Sequence, residues 1–198
     1  LDALSQCAER LRGVPRKHIR IVGTNTLRRA KNRDSFMQEA HKILGKPIEI
    51  ISGREEARLI YSAVSHTFPD NSKQRLVIDI GGGSTEFVIG KGFEPNLLES
   101  VNMGCVSYTT KFLNGKNNVN ALSMKTAMIE AQLEMQPLAL AYKQCGWDGV
   151  IGCSGAIKAA ARMLAEMSIT DGAITRDGLR KLVRAIAKGG SVEALNLN

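Results

Sequence analysis

Hydrophobic residues recur along the chain in two alternating patterns. Apolar positions three or four residues apart predict helices over 2–11, 36–44, 53–65, 105–113, 122–142 and 156–166, and a last helix capped by Thr175. Apolar and β-branched runs predict strands over 18–22, 47–51, 75–80, 85–89, 96–102 and 149–153. Because strands alternate with helices, the pattern predicts an α/β fold.

A polar turn separates two parts of this pattern. The stretch from Phe68 to Lys73 contains Pro69, Asp70 and Asn71, which favour turns. A chain of 198 residues forms one large domain or two small ones. We therefore predict a domain boundary here, with a first domain over 1–66 and a second over 67–198.

A pair of carboxylates opens the helix predicted over 53–65. Ser52 and Glu55 match a capping box, which gives Glu55 a structural role. Glu56 has no such role and begins the apolar stripe that continues at Ile60 and Ala63. A carboxylate that follows the apolar face is suited to act as a general base. The alternative is a surface glutamate stabilised by the helix dipole.

The sharpest chemical signal is a glycine-rich connection between two strands. Asp79 ends the first strand, three glycines and two hydroxyl residues follow, and Glu86 opens the next strand. Consecutive glycines let backbone N–H groups approach and surround an anion. The two acids at the ends of the turn are oxygen ligands of the kind that Mg²⁺ prefers. A plain β-hairpin turn remains the alternative.

Other phosphate-binding motifs fit this stretch poorly. The Walker motif requires a lysine after its glycines, and none follows here. The dinucleotide-binding fingerprint runs from a strand into a helix, whereas residues 85–89 have the β-branched alternation of a strand.

A second glycine turn, Gly152-Cys153-Ser154-Gly155, follows the last predicted strand and opens a helix. Exposed N–H groups at such a helix start can bind phosphate, and tight strand–helix packing is the alternative. The turn is similar to a nucleophile elbow, but no histidine follows His66 in the chain. This disfavours a serine hydrolase and leaves Cys153 without a base.

A third candidate lies at the end of the first predicted strand, where a polar loop leads into two arginines. Arg28 and Arg29 follow Thr24 and are positioned to clamp an anion, with two solvated arginines as the alternative.

Charge and composition narrow the class of protein. The net charge is +8, which suggests an anionic partner such as nucleic acid, a phosphorylated molecule, polyphosphate or anionic lipid. A basic surface that serves only solubility is the alternative. Aromatic residues make up only 5% of the chain, which weakens single-stranded nucleic-acid binding. No apolar run approaches the ~20 residues of a membrane span. The four cysteines are far apart, which disfavours a zinc site and indicates a reducing cytoplasm.

Taken together, five stretches resemble the exopolyphosphatase / guanosine pentaphosphate phosphohydrolase family. In order they are VGTNTLRRA (22–30), IEIISGREEARLIY (48–61), LVIDIGGGSTEFVIG (76–90), ESVNMGCVSY (99–108) and GCSGAIKA (152–159). The resemblance implies two ribonuclease H-like domains, as in actin, sugar kinases and heat-shock chaperone ATPases, with a phosphate cleft between them. The first domain would be truncated here.

The resemblance also implies roles for particular residues. Glu56 matches the catalytic base that activates water, and Asp79 and Glu86 match the acids associated with Mg²⁺. The residues that match phosphate-binding positions are Arg28, Gly81, Gly82, Gly83, Ser84, Thr85, Ser154 and Gly155. The implied reaction is hydrolysis of terminal phosphoanhydride bonds of inorganic polyphosphate, releasing orthophosphate. Guanosine pentaphosphate 5′-phosphohydrolase activity is the alternative within the family.

The sequence departs from the family pattern at its beginning. The chain starts at Leu1 without methionine, and residues 1–11 do not resemble the family's other phosphate loop. We therefore expect an excised piece of a longer protein that binds anions weakly and turns over slowly or not at all. The full-length protein is expected to be a cytoplasmic homodimer, with peripheral membrane association left open and without a nucleic-acid partner.

Two rival classes remain open on sequence alone. An actin-like nucleotide-binding ATPase would use the same glycine hairpin. A regulatory module would bind polyphosphate without releasing phosphate.

Overall fold

The computed structural model describes residues 1–69, 72–114, 119–191 and 195. The chain divides into two units, Leu1–Glu56 and Ala57–Asn198. Asp70 and Asn71 of the predicted polar turn lie outside the described residues. The domain boundary between residues 66 and 67 stays a prediction.

Helices and a short parallel strand pair make up the first unit. Its elements, in chain order, are α1 (Asp2–Arg10), β1 (Val22–Gly23), α2 (Asn25–Arg29), α3 (Arg33–Leu44) and β2 (Glu49–Ile50), followed by the start of α4 (Gly53–Thr67). Strands β1 and β2 pair in parallel. Helix α3 ends as predicted at Gly45, which adopts a left-handed φ of 65°.

The strand predicted over 18–22 is wrong in most of its length. A turn of 3-10 helix occupies Arg16–His18, and the strand covers only Val22–Gly23. The short partner β2 explains this difference, since it offers only two residues for pairing. The polar loop predicted after the strand is also wrong, because residues Asn25–Arg29 form the short helix α2.

The second unit contains a four-stranded sheet with helices on both faces. The remaining elements are β3 (Gln74–Ile80), β4 (Thr85–Lys91), β5 (Glu94–Val101), α5 (Cys105–Tyr108) continued by a π-helical turn (Thr109–Leu113), α6 (Ala121–Cys145), β6 (Gly149–Cys153), α7 (Ser154–Glu166) and α8 (Arg176–Gly189). The sheet order is β5-β4-β3-β6, with β3 antiparallel to β4 and parallel to β6. This mixture of strands and helices confirms the predicted α/β class.

Side chains of β3 and β4 alternate between the two faces of the sheet. On one face Val77 and Val88 are buried under Ala57, Tyr61 and Val64 of α4. The continuously apolar run that predicted β3 is therefore explained by burial on both sides.

The opposite face of the sheet is covered by α6. Leu76 and Ile89 pack there against Tyr142, whose hydroxyl donates a 2.7 Å hydrogen bond to the Phe87 carbonyl. Helix α6 thus fixes the outer side of the strands that lead into the glycine turn.

Local side chains define the helix starts. The Asn120 side chain accepts hydrogen bonds from the first turn of α6, and Thr175 accepts one from Gly178 at the start of α8. Helix α7 begins at Ser154, two residues before the predicted start at Ala156. No helix in the described ranges is long and apolar enough to cross a membrane.

Candidate functional site

Glu56, the predicted base, is paired with Arg28 inside the first unit. Both terminal nitrogens of Arg28 lie 3.1 Å from the same oxygen of Glu56. One of those nitrogens also donates a 2.7 Å bond to the Ile51 carbonyl. The side chains retain only 22% and 17% exposure, so the pair is largely shielded from water. Arg28, which is itself held by the Ile51 carbonyl, therefore orients the Glu56 carboxylate.

The first turn of α4 distinguishes the two adjacent glutamates. The Glu55 N–H donates a 3.1 Å bond to the Ser52 hydroxyl, which confirms the predicted N-cap. The Glu55 carboxylate lies 3.6 Å from Arg20, away from the Arg28–Glu56 pair. The two glutamates therefore have different partners, and neither arginine partner was predicted from the sequence.

Helix α2, which carries Arg28, begins directly after Gly23 of β1. A Cβ added to Gly23 would lie 2.6 Å from a methyl group of Leu27 and 3.0 Å from Ile50. Glycine leaves room for the ends of these two side chains, so that α2 packs closely on the strand pair. This close packing places Arg28 against the Ile51 carbonyl at the end of β2.

The glycine turn between β3 and β4 presents unpaired N–H groups. The Gly81 N–H closes the turn with a 2.9 Å bond to the Ser84 carbonyl. Within the part of the chain that the structure describes, the N–H groups of Gly82, Gly83 and Ser84 have no protein acceptor. Gly82 is exposed, whereas Ser84 is buried. Such a row of unpaired donors is suited to binding phosphate oxygens.

Residues Cys105–Ser107, for which the sequence predicted a helix but no role in the site, support this turn from behind. The carbonyl of Gly81 accepts from Cys105 at 2.9 Å, and that of Gly82 accepts from Val106 at 2.9 Å and Ser107 at 3.0 Å. These three hydrogen bonds hold the carbonyls of Gly81 and Gly82 and thereby stabilise the backbone conformation of the turn.

Gly104, just before that segment, is the closest backbone neighbour of the turn. A Cβ on Gly104 would lie 2.4 Å from both Gly82 C and Gly83 N. The only available signal in the sequence was a lone glycine in the stretch 99–108, which does not indicate what it contacts.

The second predicted phosphate segment lies beside the glycine turn. Strands β3 and β6 are parallel neighbours, so their carboxyl ends meet at the same edge of the sheet. The Ser154 hydroxyl donates a 2.7 Å bond to the Ile80 carbonyl, immediately before the turn. Ser154 itself has a left-handed φ of 77°. The N-terminus of α7 and the glycine turn are therefore joined into one surface, where both sets of N–H groups favour an anion.

The two predicted metal-binding acids face each other across strands β3 and β4. Asp79 and Glu86 are direct partners in the antiparallel register and share one face of the sheet. Glu86 is 1% exposed and accepts a 2.8 Å bond from the Ser100 hydroxyl. One carboxylate oxygen of Asp79 is buried without a hydrogen-bond partner among the described residues.

This donor set fits a cation that also takes oxygen ligands from elsewhere. A buried, unpaired carboxylate oxygen is costly unless a ligand meets it. Mg²⁺ is held by one or two carboxylates together with water and substrate phosphates. Among the described residues, no group of three His, Cys, Asp or Glu side chains is placed to form a metal site by itself. The chain therefore provides two carboxylate ligands, and oxygen atoms of water or phosphate would complete the coordination of the ion.

Cys153 is the direct β6 partner of Asp79 and does not have the properties of a nucleophile. Burial raises the pKa of its thiol, and the negative charge of Asp79 raises that pKa further. The positive charge of Lys158 in α7 has the opposite, smaller effect on this pKa. Lys158 lies in the stretch 152–159, but nothing in the sequence indicated an influence on Cys153.

A search against models of known protein families matches residues 1–198 to the Ppx/GppA phosphatase family. The chain belongs to the Ppx/GppA phosphatase family. The resemblance inferred from the five sequence stretches is thereby confirmed. The assignments of Glu56, of the phosphate-binding residues and of the two acids stay predictions.

Two curated Ppx/GppA relatives illustrate the range of activities within the family. A Haemophilus influenzae protein provisionally named an exopolyphosphatase is 41% identical over all of this chain and 61% of its own length. A Vibrio vulnificus guanosine-5′-triphosphate,3′-diphosphate pyrophosphatase is 43% identical over 99% of this chain and 39% of its own. The chain thus spans less than two thirds of these relatives.

A solved structure of the same family shows the fold. The exopolyphosphatase from Cytophaga hutchinsonii superposes with a TM-score of 0.77 at 24% identity, over 91% of this chain and 60% of that chain. The predicted ribonuclease H-like α/β fold is confirmed by this likeness. Whether the first domain is truncated stays a prediction.

Proposed function

We propose that the protein to which this chain belongs hydrolyses terminal phosphoanhydride bonds of inorganic polyphosphate and releases orthophosphate. The observation that carries the proposal is the single surface formed by the glycine turn and the start of α7, which are joined by the Ser154–Ile80 hydrogen bond. Its unpaired N–H groups are arranged for an extended or terminal phosphate. Membership of a phosphatase family supports turnover in addition to binding.

In this proposal the reaction depends on a few side chains. Glu56 removes a proton from the attacking water, and Arg28 orients Glu56 through its two N–H···O contacts. Backbone N–H groups of Gly82, Gly83 and Ser84 stabilise the charge that grows on the phosphoryl oxygens. Thr85, whose hydroxyl donates to the Met103 carbonyl, anchors the turn at its base.

Magnesium is part of the proposal because of the Asp79–Glu86 pair. These two acids would hold the ion through the unpaired Asp79 oxygen and the Glu86 carboxylate. Bound there, Mg²⁺ supplies positive charge that neutralises phosphate oxygens.

Guanosine pentaphosphate is the second candidate substrate. The Vibrio vulnificus relative favours it, because its identity to this chain is as high as that of the Haemophilus relative. Nothing in the glycine turn separates the two substrates, since both end in the same phosphoanhydride group. We further propose a cytoplasmic location and a homodimer for the full-length protein.

The decisive experiment measures orthophosphate release by the full-length parent protein with Mg²⁺. Long-chain polyphosphate and guanosine pentaphosphate are compared, using the wild type, Glu56→Gln and Glu55→Gln. We expect Glu56→Gln to reduce the rate by about 100- to 10,000-fold, which is the usual contribution of a general base. Glu55→Gln is the matched control, since it removes the same charge one residue away, and we expect nearly normal turnover.

Each outcome decides between the proposals. Faster orthophosphate release from guanosine pentaphosphate than from polyphosphate would identify the nucleotide as the preferred substrate. Equal rates for Glu56→Gln and the wild type would refute the base assignment. Tight polyphosphate binding without phosphate release would instead identify a binding module.

A further inference from the structure

Helix α8 carries an unusual concentration of positive charge. Its 14 residues include five basic side chains and one acidic side chain, a net charge of +4 within a chain of net charge +8. The five cations are Arg176, Arg180, Lys181, Arg184 and Lys188. Half of the net charge of the protein is therefore concentrated on one helix.

The cations of α8 form a row along one side of the helix. Arg176, Arg180, Arg184 and Lys188 are spaced four residues apart, so each lies one turn above the last. At a rise of about 1.5 Å per residue the row is roughly 18 Å long. All of these side chains are exposed. The row thus matches an extended anion better than a single compact one.

Acidic side chains neutralise little of this row. Arg180 lies 3.3 Å from Asp177, and both side chains of that pair are more than half exposed. Across the described ranges, Arg176, Lys181, Arg184 and Lys188 have no acidic partner within salt-bridge distance. Unpaired like charges on one helix face destabilise the helix slightly, so a bound anion would relieve this repulsion.

Packing holds the basic side outward. Leu182 on the opposite side is 5% exposed, and α8 packs against both α6 and α7. Among the large apolar side chains of α8 only Leu179 is exposed, at 38%, so the helix offers little apolar surface for insertion into a lipid surface. The row also contains no aromatic side chain on which a nucleic-acid base could stack.

The direction of α8 relates the row to the phosphate surface of the same unit. A Cβ added to Gly178, at the start of α8, would lie 3.3 Å from Leu164 near the end of α7, and one added to Gly190, just after α8, would lie 3.9 Å from the Val119 carbonyl just before α6. Helix α7 itself starts at Ser154 beside the glycine turn. Helix α8 therefore runs back along α7, toward the end of the unit where that turn lies.

We propose that the cationic row of α8 is an accessory binding site for the distal part of a long inorganic polyphosphate chain. This inference rests on the proposed function for its choice of polyanion. The row holds the chain by charge alone, while its terminal phosphate is at the glycine turn. Long chains therefore bind more tightly than short ones that cannot reach α8.

Binding by this 198-residue chain tests the site without requiring catalysis. The affinity for long-chain polyphosphate and for tripolyphosphate is measured for the wild type and for Arg180→Gln/Arg184→Gln. The matched control is Arg10→Gln/Arg12→Gln, which removes two exposed charges at the end of α1 and just beyond it. Glutamine preserves helix propensity, and circular dichroism verifies that each variant is folded.

We expect the α8 variant to bind long-chain polyphosphate at least about tenfold more weakly, with unchanged tripolyphosphate binding. The dependence of its affinity on salt should also become shallower, by roughly one unit of log–log slope per cation removed. An equal loss in the α1 control, or no loss in the α8 variant, would overturn the proposal. So would a stronger α8-dependent affinity for RNA or for anionic phosphatidylserine vesicles than for polyphosphate.

Hydrolysis by the full-length parent separates this inference from the proposed function. The α8 variant should raise KM for long chains about tenfold, with kcat and the hydrolysis of tripolyphosphate unchanged. If the parent hydrolyses no polyphosphate but this chain still binds it through α8, the proposed reaction fails and the accessory site stands. If hydrolysis occurs with equal KM for wild type and variant, the reaction stands and the accessory site fails.

Discussion

Arg28 and Glu56 meet through a single carboxylate oxygen, which lies 3.1 Å from each terminal nitrogen of the guanidinium. The two residues are 28 positions apart in the sequence and come from different helices, α2 and α4. The second oxygen of Glu56 has no part in this contact. An arginine placed in this way orients a carboxylate while leaving one oxygen available to accept a proton.

The first prediction concerns the orienting role of Arg28. Arg28→Gln in the full-length parent should reduce kcat on the order of 100-fold, because a displaced catalytic group loses that much. Arg28→Lys should recover only part of the loss, since one ammonium group cannot reproduce the fork that contacts both Glu56 and the Ile51 carbonyl. Steady-state phosphate release separates kcat from KM.

The control for this prediction is Arg29→Gln. Arg29 is the exposed neighbour of Arg28 and its substitution removes the same charge. The orienting role is refuted if the two glutamine variants show the same kcat.

The second prediction concerns the contact of Gly104 with the glycine turn. A methyl group on Gly104 would lie 2.4 Å from backbone atoms of Gly82 and Gly83, so that backbone must move. We expect Gly104→Ala to lower the free energy of unfolding by about 1–3 kcal/mol, as overpacking usually does. It should also weaken phosphate binding, because the N–H groups of the turn change direction.

Urea unfolding of this chain measures the effect, with Gly149→Ala as the matched control. Gly149 lies in β6 and an added Cβ there would meet no atom within 4 Å. Identical unfolding midpoints for the two alanine variants would contradict the close contact.

The third prediction concerns the reactivity of Cys153. Because burial and Asp79 raise the pKa of its thiol, less thiolate is present at neutral pH, and alkylation should be slow. Cys7 and Cys105, which are exposed, should be modified before Cys153. Asp79→Asn removes one of the two causes, so the onset of Cys153 alkylation should shift to lower pH.

Iodoacetamide labelling followed by mass spectrometry measures these rates between about pH 7 and 10, the range around the ordinary thiol pKa. Asp171→Asn serves as a control on the surface. An unchanged onset in Asp79→Asn would show that the charge of Asp79 does not influence the thiol.

The fourth prediction concerns alkaline stability and Tyr61. Its side chain is fully buried, and its hydroxyl donates a 3.1 Å bond to the Gly92 carbonyl. Burial raises the pKa of Tyr61, so the folded chain holds the proton more tightly than the unfolded chain. This contribution to stability is complete below the unfolded pKa of about 10 and is lost as the pH rises through the higher folded value.

Tyr61→Phe removes the hydrogen bond to the Gly92 carbonyl and should lower the free energy of unfolding by about 1 kcal/mol at neutral pH. Ser65, which donates a 2.9 Å bond to the same carbonyl, keeps Gly92 paired and limits the loss. Above about pH 10 the variant should lose stability less steeply than the wild type. Unfolding curves that fall in parallel for both proteins would refute this pH dependence.

The glycine turn shows how far local patterns lead. Adjacent positions in the sequence were enough to predict that the turn joins two strands and that residues 85–89 form the second of them. They also indicated which residues of the turn are candidates for phosphate binding. The support of the turn by Gly104 did not, because a single glycine carries no periodic signal. The same is true of Lys158, whose relevance depends on its distance from Cys153 in space.

The first strand shows where a local pattern is misleading. The run His18–Val22 has the composition of a strand, yet only its last residue, Val22, is paired in the sheet. Strand propensity describes how well a residue fits a sheet, and it cannot supply the partner.

The sequence alone determined the α/β class, the helix caps at Ser52 and Thr175, and the family, because these depend on residues within a few positions of each other. Only the tertiary structure decided which distant groups meet: Arg28 with Glu56, Ser154 with the Ile80 carbonyl, and Asp79 with Glu86 in register. It also decided that the cations of α8 stay exposed while Leu182 is buried. The physical reason is that packing and strand register involve the whole chain at once, whereas caps and periodicity are local.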